Sequence, residues 1–308
     1  MNPRESATGR IRCGELGEDR LLDQLLPSLP RTRAVLLGAG DDCAIVKSGE
    51  RGKLQLLKTD CLVENIHFTK KDRPELVGWK AMARPLSDFA AMSGVPEFAL
   101  VTLIVPSPTK LAWVKKLYRG IGKAARMFHV AVVGGETSRI KGPAVISVTV
   151  TGLVEKGRWV TRARGKAGDE LFVTGRLGGS LRGHHLKFIP RIVEARWLTE
   201  NFSIHAMMDL SDGLGADLPR LARASGVGFE LDEAALPLNP GCSSKQAISD
   251  GEDYELLFAV SSKDSGALLT RWRKKFPKLP LTRIGRLNRK SKTENRKFPA
   301  GYVHFKKR

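Results

Sequence analysis

The chain has 308 residues, 42% of them apolar, enough for two ordinary domains or one large one with a real core. Its formal charge of +20 favours anionic partners such as nucleotides, nucleic acid or acidic surfaces. No run of about 18 apolar residues is present to span a membrane. The N-terminal MNPRESATGRIRCGE lacks the apolar core of a secretion signal. Cys13, Cys43, Cys61 and Cys242 form no CxxC pair and no zinc-ligand spacing, so reduced thiols in a cytoplasmic protein are expected.

In chain order, residues 1–32 read as an arm with one helical piece, Glu18 to Leu26. Ala34–Leu37 and Leu54–Leu57 are strand-like, leading into Gly-Ala-Gly-Asp-Asp and Thr-Asp. Pro74 opens a helix whose apolar residues Leu76, Met82, Ala83, Leu86, Phe89 and Ala90 recur at helical spacing. Phe98–Val105 reads as a strand, Thr109–Phe128 as an amphipathic helix, Val130–Val133 as a strand ending on Gly-Gly-Glu-Thr, and Ala144–Val154 as a long strand. This first half is mixed α+β rather than a regular βαβ series. The Gly-, Arg- and Lys-rich stretch from Gly157 to Asp169 marks the domain boundary, giving 1–156 and 157–308. Beyond it the pattern predicts a strand at Glu170–Thr174, helices near 178–187 and 190–200, a strand at Ala206–Leu210, a helix at Leu214–Ala224 and strands at Val227–Leu231 and Tyr254–Val260, with a polar loop over 287–300.

The acids carry the chemical signal. Predicted strands end on Gly- or Ser-flanked carboxylates: Gly40-Asp41-Asp42, Thr59-Asp60, Gly134-Gly135-Glu136-Thr137, Asp209-Leu210-Ser211-Asp212-Gly213 and Gly251-Glu252-Asp253, with Ser87-Asp88 on the helix. In so basic a protein such clustering repels itself unless a cation holds it. Hard oxygens suit Mg²⁺, which shares its remaining positions with water and substrate phosphate. Neutralising and aligning phosphates is most of what phosphoryl transfer asks of a protein. Each acid alone also fits a turn or a helix cap; only the set together points to a cation. Gly178-Gly179-Ser180, ahead of a predicted helix, offers N–H groups to an anion or forms a plain helix-entry turn. No Walker A sequence and no Gly-x-Gly-x-x-Gly after a strand is present. From Lys263 onward Lys and Arg dominate, as in 271–275, 289–297 and 306–308. That charge fits a nucleic-acid or membrane-surface patch or a solvated basic face. No aromatic interleaving accompanies it, which favours the solvated face.

The strings GDDCA (40–44), TDCLVENIHF (59–68), LSDFAAM (86–92), VVGGETSR (132–139), VTRARGKAGD (160–169), MDLSDGL (208–214) and SDGEDYELLF (249–258), in this order and spacing, resemble the thiamine-monophosphate kinase family. GEDYEL sets that family apart from its relatives, the aminoimidazole ribonucleotide synthetases and selenophosphate synthetases. The resemblance implies an α+β fold of the aminoimidazole ribonucleotide synthetase type. Its N-terminal domain dimerises through a sheet, and its C-terminal α/β domain covers nucleotide and substrate. It implies ATP and thiamine monophosphate as ligands, several Mg²⁺ ions, K⁺ as a further cation to supply, and a homodimer. It implies metal ligands at Asp42, Thr59, Asp60, Asp88, Asp209 and Asp212, with Glu136 where the family has an Asp. ATP contacts fall at Thr59, Gly135, Glu136, Arg162 and Ser211, and substrate contacts at His67, Glu252 and Tyr302. Asp42, Asp60 and Asp212 are the residues expected at the centre of the chemistry.

This sequence departs from the family in three places. Glu136 carries one methylene more than Asp, which moves its carboxylate out by about 1.5 Å. Lys58 stands where a Ser or Thr often helps bind metal, and Arg84-Pro85 where an Asn often precedes Leu-Ser-Asp. Two rival readings stay open at this level. One is ATP-dependent activation of another small acceptor. The other is a catalytically retired, basic nucleic-acid-binding protein.

Overall fold

The structure, a computed structural model, describes residues 12–30 and 32–289. Two short helices, α1 (Cys13–Leu16) and α2 (Glu18–Leu25), precede the first sheet. The elements β1 (Val35–Leu37), β2 (Ala44–Lys47), β3 (Lys53–Val63), α3 (Pro74–Ala91), β4 (Val95–Val105), α4 (Leu111–Met127), β5 (Ala131–Arg139) and β6 (Val145–Glu155) form the first half. Its six strands run in the order β1-β2-β3-β6-β4-β5, antiparallel except for the β4–β5 pair. The second half comprises β7 (Glu170–Thr174), α5 (Ile192–Asn201), β8 (Ile204–Asp209), α6 (Leu214–Ala224), β9 (Gly228–Leu231), α7 (Ser244–Ser249), β10 (Leu256–Val260), α8 (Ser262–Lys275) and β11 (Leu281–Asn288). Its five strands run β8-β10-β7-β11-β9, and every pairing is antiparallel. The second half therefore layers helices on a sheet without parallel βαβ units, which refines the α/β description.

Several elements are longer than their apolar runs suggest. β3 continues through Thr59, Asp60 and Cys61 because β6 pairs with it all the way from Lys53↔Glu155 to Val63↔Val145. β5 likewise runs through Gly134–Glu136, held parallel to β4. Thr59, Asp60 and Glu136 thus lie within strands, not at strand ends. A polar residue in a ladder is satisfied by its neighbours' backbone, and composition does not reveal that support. The expected helix near 178–187 is two 3₁₀ turns, Ser180–Arg182 and His184–Leu186. β2, α7, α8 and β11 emerge only in the structure, and β11 takes Leu287 and Asn288 out of the expected loop.

β3 alternates as a half-buried strand should. Leu54, Leu56 and Leu62 are buried, and Lys58 and Asp60 share their face. That face meets α3, where fourteen of eighteen residues are buried. α3 crosses α4 at two glycines. A Cβ at Gly78 would lie 2.0 Å from the Leu117 carbonyl oxygen, and one at Gly120 would lie 1.9 Å from that of Glu75. Backbone on backbone cannot yield as a side-chain tip can. α3 also packs against α5 and β8 of the second half, so it belongs to both halves at once. Trp79 Nε1 donates to the Phe188 carbonyl at 2.8 Å across that junction.

Two glycines of α4 make a matched pair for measurement. Gly120→Ala is expected to cost about 1–3 kcal/mol or more by overpacking. Gly122→Ala would meet only the tip of Arg126, at 3.3 Å. It is expected to gain up to about 1 kcal/mol from helix propensity. Urea denaturation of both variants checks the contrast.

Candidate active site

Three segments bring carboxylates to one place. Asp42 follows β1, Asp88 sits in the last turn of α3, and Asp209 ends β8. All three are buried, and ligand oxygens from each lie within 4.8 Å of one another. Beside them is a cavity of about 320 Å³. Asp60, Asp212 and Ser211 line it, together with His67, Tyr254, Lys58 and Arg84.

Buried carboxylates this close cannot all ionise without compensation. Burial, reinforced by Asp42, pushes the Asp209 carboxyl up to about 7, although Ser87 Oγ donates to its Oδ2 at 2.6 Å. Burial pushes Asp88 well above the carboxylate range even though Lys58 pulls it down. Lys58 Nζ lies 2.8 Å from Asp88 Oδ1. Burial works against the lysine's charge, but Asp88 and Asp60 outweigh it and hold the ammonium above its ordinary range. Arg162 Nη2 donates to Asp42 Oδ1, and its backbone N–H donates to Asp41 Oδ2 at 3.2 Å. Asp42 Oδ2 is buried with no hydrogen-bond partner. An acidic, oxygen-only donor set with an orphaned carboxylate oxygen fits a hard divalent cation such as Mg²⁺.

The other expected residues divide into those near this centre and those away from it. Asp60 pairs with Arg84 at 3.2 Å. Asp212 is bound by Arg220, which also reaches Asp217 at 3.0 Å. His67 Nδ1 accepts from the Val63 N–H at 3.0 Å, so Nε2 carries the proton. Glu252, at φ 55°, is held by Lys80 Nζ at 2.7 Å. Thr59 lies on the opposite side of β3 from Asp60. It is exposed, and its Oγ1 accepts from Thr149 Oγ1 at 3.0 Å. Glu136 is exposed on β5, outside the three-carboxylate group. Gly135 has a structural reason of its own: at φ 154° a Cβ would lie 1.8 Å from the Val101 carbonyl oxygen. Tyr302 and the basic stretch 290–308 lie outside the described residues.

Two further residues of the site carry little signal in the sequence. Lys80 is fully buried on α3, donates to the His67 carbonyl at 2.8 Å as well as to Glu252, and is lowered to about 8 by burial. A lysine inside an apolar helical stripe was its only signal. Tyr254, two residues after Glu252, stacks on Phe188 with centroids 3.9 Å apart and lines the cavity. The Gly178-Gly179 turn, by contrast, offers nothing to an anion. Its N–H groups already donate to Asp253 Oδ1 at 3.0 Å and Asp250 Oδ2 at 2.9 Å. A second hollow of about 290 Å³, by Glu230 and Arg286, holds little beyond an exposed ion pair.

Comparison with known proteins shows the family and the fold. Residues 40–154 match the N-terminal domain of the AIR synthase related proteins, and residues 173–294 match their C-terminal domain. The two domains define the class of the protein. Within that class, the thiamine-monophosphate kinase of Rhodopirellula baltica is 37% identical over 297 residues, covering 88% of this chain and 92% of the relative. That of Bacillus subtilis is 32% identical, covering 91% and 94%. Among solved structures, AaThiL complexed with AMPPCP and TMP superposes with a TM-score of 0.81 at 32% identity, covering 96% of this chain and 99% of that one. Escherichia coli HypE, at 20% identity and a TM-score of 0.65 over 77% of this chain and 81% of its own, shares the fold alone. The chain belongs to the thiamine-monophosphate kinase family.

Asp253 supplies a pH test of the loop that carries Glu252. Its Oδ2 is buried without a partner. Burial pushes its carboxyl up to about 8, against the Gly178 N–H and with help from Glu255 and Asp250. An unfolded Asp titrates near 3.9. Between about pH 4 and 8 the unfolded state therefore sheds a proton that the folded state keeps, and stability falls as pH rises through that window. Asp253→Asn removes this penalty. Its stability relative to wild type is expected to climb from about pH 4 to about pH 8 and then level off, as read by denaturant melts across that range.

Proposed function

We propose that this chain phosphorylates thiamine monophosphate with ATP, giving thiamine diphosphate and ADP. The observation that carries the reading is the meeting of Asp42, Asp88 and Asp209 beside a cavity that also holds His67, Ser211 and Asp212. Family membership supports it, as does AaThiL, a neighbour complexed with AMPPCP and TMP.

In this reading residues 1–156 bind metal and nucleotide and form the dimer face, and residues 157–308 close over nucleotide and substrate. Asp42 and Asp209, with Asp60 and Asp212 at the cavity wall, hold Mg²⁺, and Asp88 completes the acidic group beside them. The metal supplies charge neutralisation and alignment of the triphosphate. Arg162 and Ser211 bind ATP. His67 and Glu252 bind the acceptor, with Tyr302 completing its site. The acceptor phosphate has a second pKa of about 6 and is largely dianionic at neutral pH. It attacks the γ-phosphorus in line without a general base: its oxygen forms the new P–O bond as the bond to the ADP oxygen breaks. Lys80 fixes the Glu252 carboxylate toward the acceptor.

We assign a second copy of the chain to the open side of the first sheet. All nine residues of β5 are exposed, and Val132 and Val133 stand beside the exposed Phe98 and Leu100 of β4. An exposed edge strand with an apolar start at Val132 and Val133 invites pairing. Thr59, Gly135 and Glu136 lie on or beside this side, so their proposed contacts with metal and ATP belong to the assembled dimer. Val133→Lys is expected to shift the protein toward monomer in analytical ultracentrifugation; an unchanged sedimentation coefficient would argue for a different face.

The decisive assay is ADP release from Mg-ATP, with K⁺ supplied, in the presence and absence of thiamine monophosphate, and product mass. ADP formation is expected to depend on the acceptor and to yield thiamine diphosphate. Asp209→Asn is expected to lower the rate by about 100-fold or more, the scale on which loss of a charge-stabilising group acts. Turnover that ignores thiamine monophosphate but responds to another acceptor would overturn the substrate.

A further inference from the structure

Lys58 and Arg84 line the acidic cavity with no part in the roles above. Lys58 lies on the inward face of β3, half-buried, with Nζ 2.8 Å from Asp88 Oδ1. Arg84, one turn before Asp88 on α3, is fixed elsewhere. It reaches Asp60 at 3.2 Å and donates to the Cys61 carbonyl at 2.9 Å. Of the three-carboxylate group, Arg162 holds Asp42 Oδ1 and Lys58 holds Asp88 Oδ1. A lysine ammonium is a compact point charge with three donors on a flexible stem. Set on Asp88, within a group whose oxygens span 4.8 Å, it takes the volume and the charge position of a metal ion. A divalent ion placed on the same oxygen would meet it at a separation where repulsion is severe in a low-dielectric site. The open donor lies on another residue, at the unpartnered Oδ2 of Asp42.

We propose that Lys58 is a resident cation of the active site: its ammonium neutralises Asp88 and occupies the place of one divalent ion, so metal enters through Asp42 and Asp209. The inference rests on the kinase reading only for the use of the site, because the ion count does not depend on which acceptor is phosphorylated. The chain would then carry part of its counter-charge covalently, and its metal stoichiometry would be one ion lower than the carboxylates alone could hold. Lys58→Met removes the charge while keeping an unbranched stem, and Lys58→Arg keeps the charge.

The test is a Mn²⁺ titration of full-length protein without nucleotide, followed by electron paramagnetic resonance. Lys58→Met is expected to bind one more Mn²⁺ per chain than wild type, and Lys58→Arg to match wild type. Equal counts in wild type and Lys58→Met would overturn the proposal. Should Lys58→Met fail to fold, wild-type crystals grown with Mn²⁺ decide the matter by anomalous scattering. The proposal requires an ion on Asp42 and Asp209 with Lys58 still against Asp88; an ion on Asp88 Oδ1 with Lys58 turned away would sink it. Neither readout uses turnover, so failure of the substrate assignment and failure of this proposal are separable.

Discussion

The structure depends on one polar stripe along an otherwise buried helix. On α3, Lys80, Arg84, Ser87 and Asp88 stand at intervals of four, three and one residues, which places them on one helical face. Between them they bind three other segments: Lys80 reaches Glu252, Arg84 and Asp88 reach Asp60 and Lys58 on β3, and Ser87 reaches Asp209. Burying a charge without a partner is far more costly than burying a methylene group. The stripe therefore specifies where β3, β8 and the loop before β10 must lie. The same contacts join the two halves and build the site, so fold and function share one set of interactions.

Compensation here is local and nearly complete. Lys58, Arg84, Arg162 and Arg220 each face an acid of the centre, in a protein whose surface is strongly basic. Within the three-carboxylate group, Asp88 and Asp209 are pushed up in pKa by burial, reinforced by Asp209 at Asp88 and by Asp42 at Asp209. A centre that holds protons it would release to a cation is poised for metal. Asp253, with a raised pKa and no role at the metal, shows that a buried acid can serve a different purpose. It accepts from the Gly178 N–H and so ties the turn at Gly178 to the loop that presents Glu252.

Much of this was readable from the chain. Helix α6 falls on Leu214–Ala224 as its periodicity says, and α3 starts at Pro74 as the proline predicts. Residues 170–174 and 256–260 form inner strands of the second sheet, and their apolar runs marked both. β2, α7, α8 and β11 were not legible: they are short or highly charged, and they hold together through tertiary pairing. The extension of β3 through Asp60 was hidden for the same reason. Its polar residues are strand because β6 is beside them, not because of their own propensity.

For the site, the sequence by itself determined which acids exist, how they are spaced and which family they belong to, because short motifs keep their order whatever the fold does. Only the tertiary structure decided which of them meet. Asp88 lies 46 residues after Asp42, and Asp209 lies 121 residues after Asp88, yet the three share one buried volume. Thr59 and Asp60 are neighbours in sequence but lie on opposite sides of β3, since successive strand residues alternate faces. The partners Lys58, Lys80 and Arg84 acquired their meaning the same way. A cation's role in a protein interior is set by the carboxylate it faces, and that distance exists only once the chain has folded.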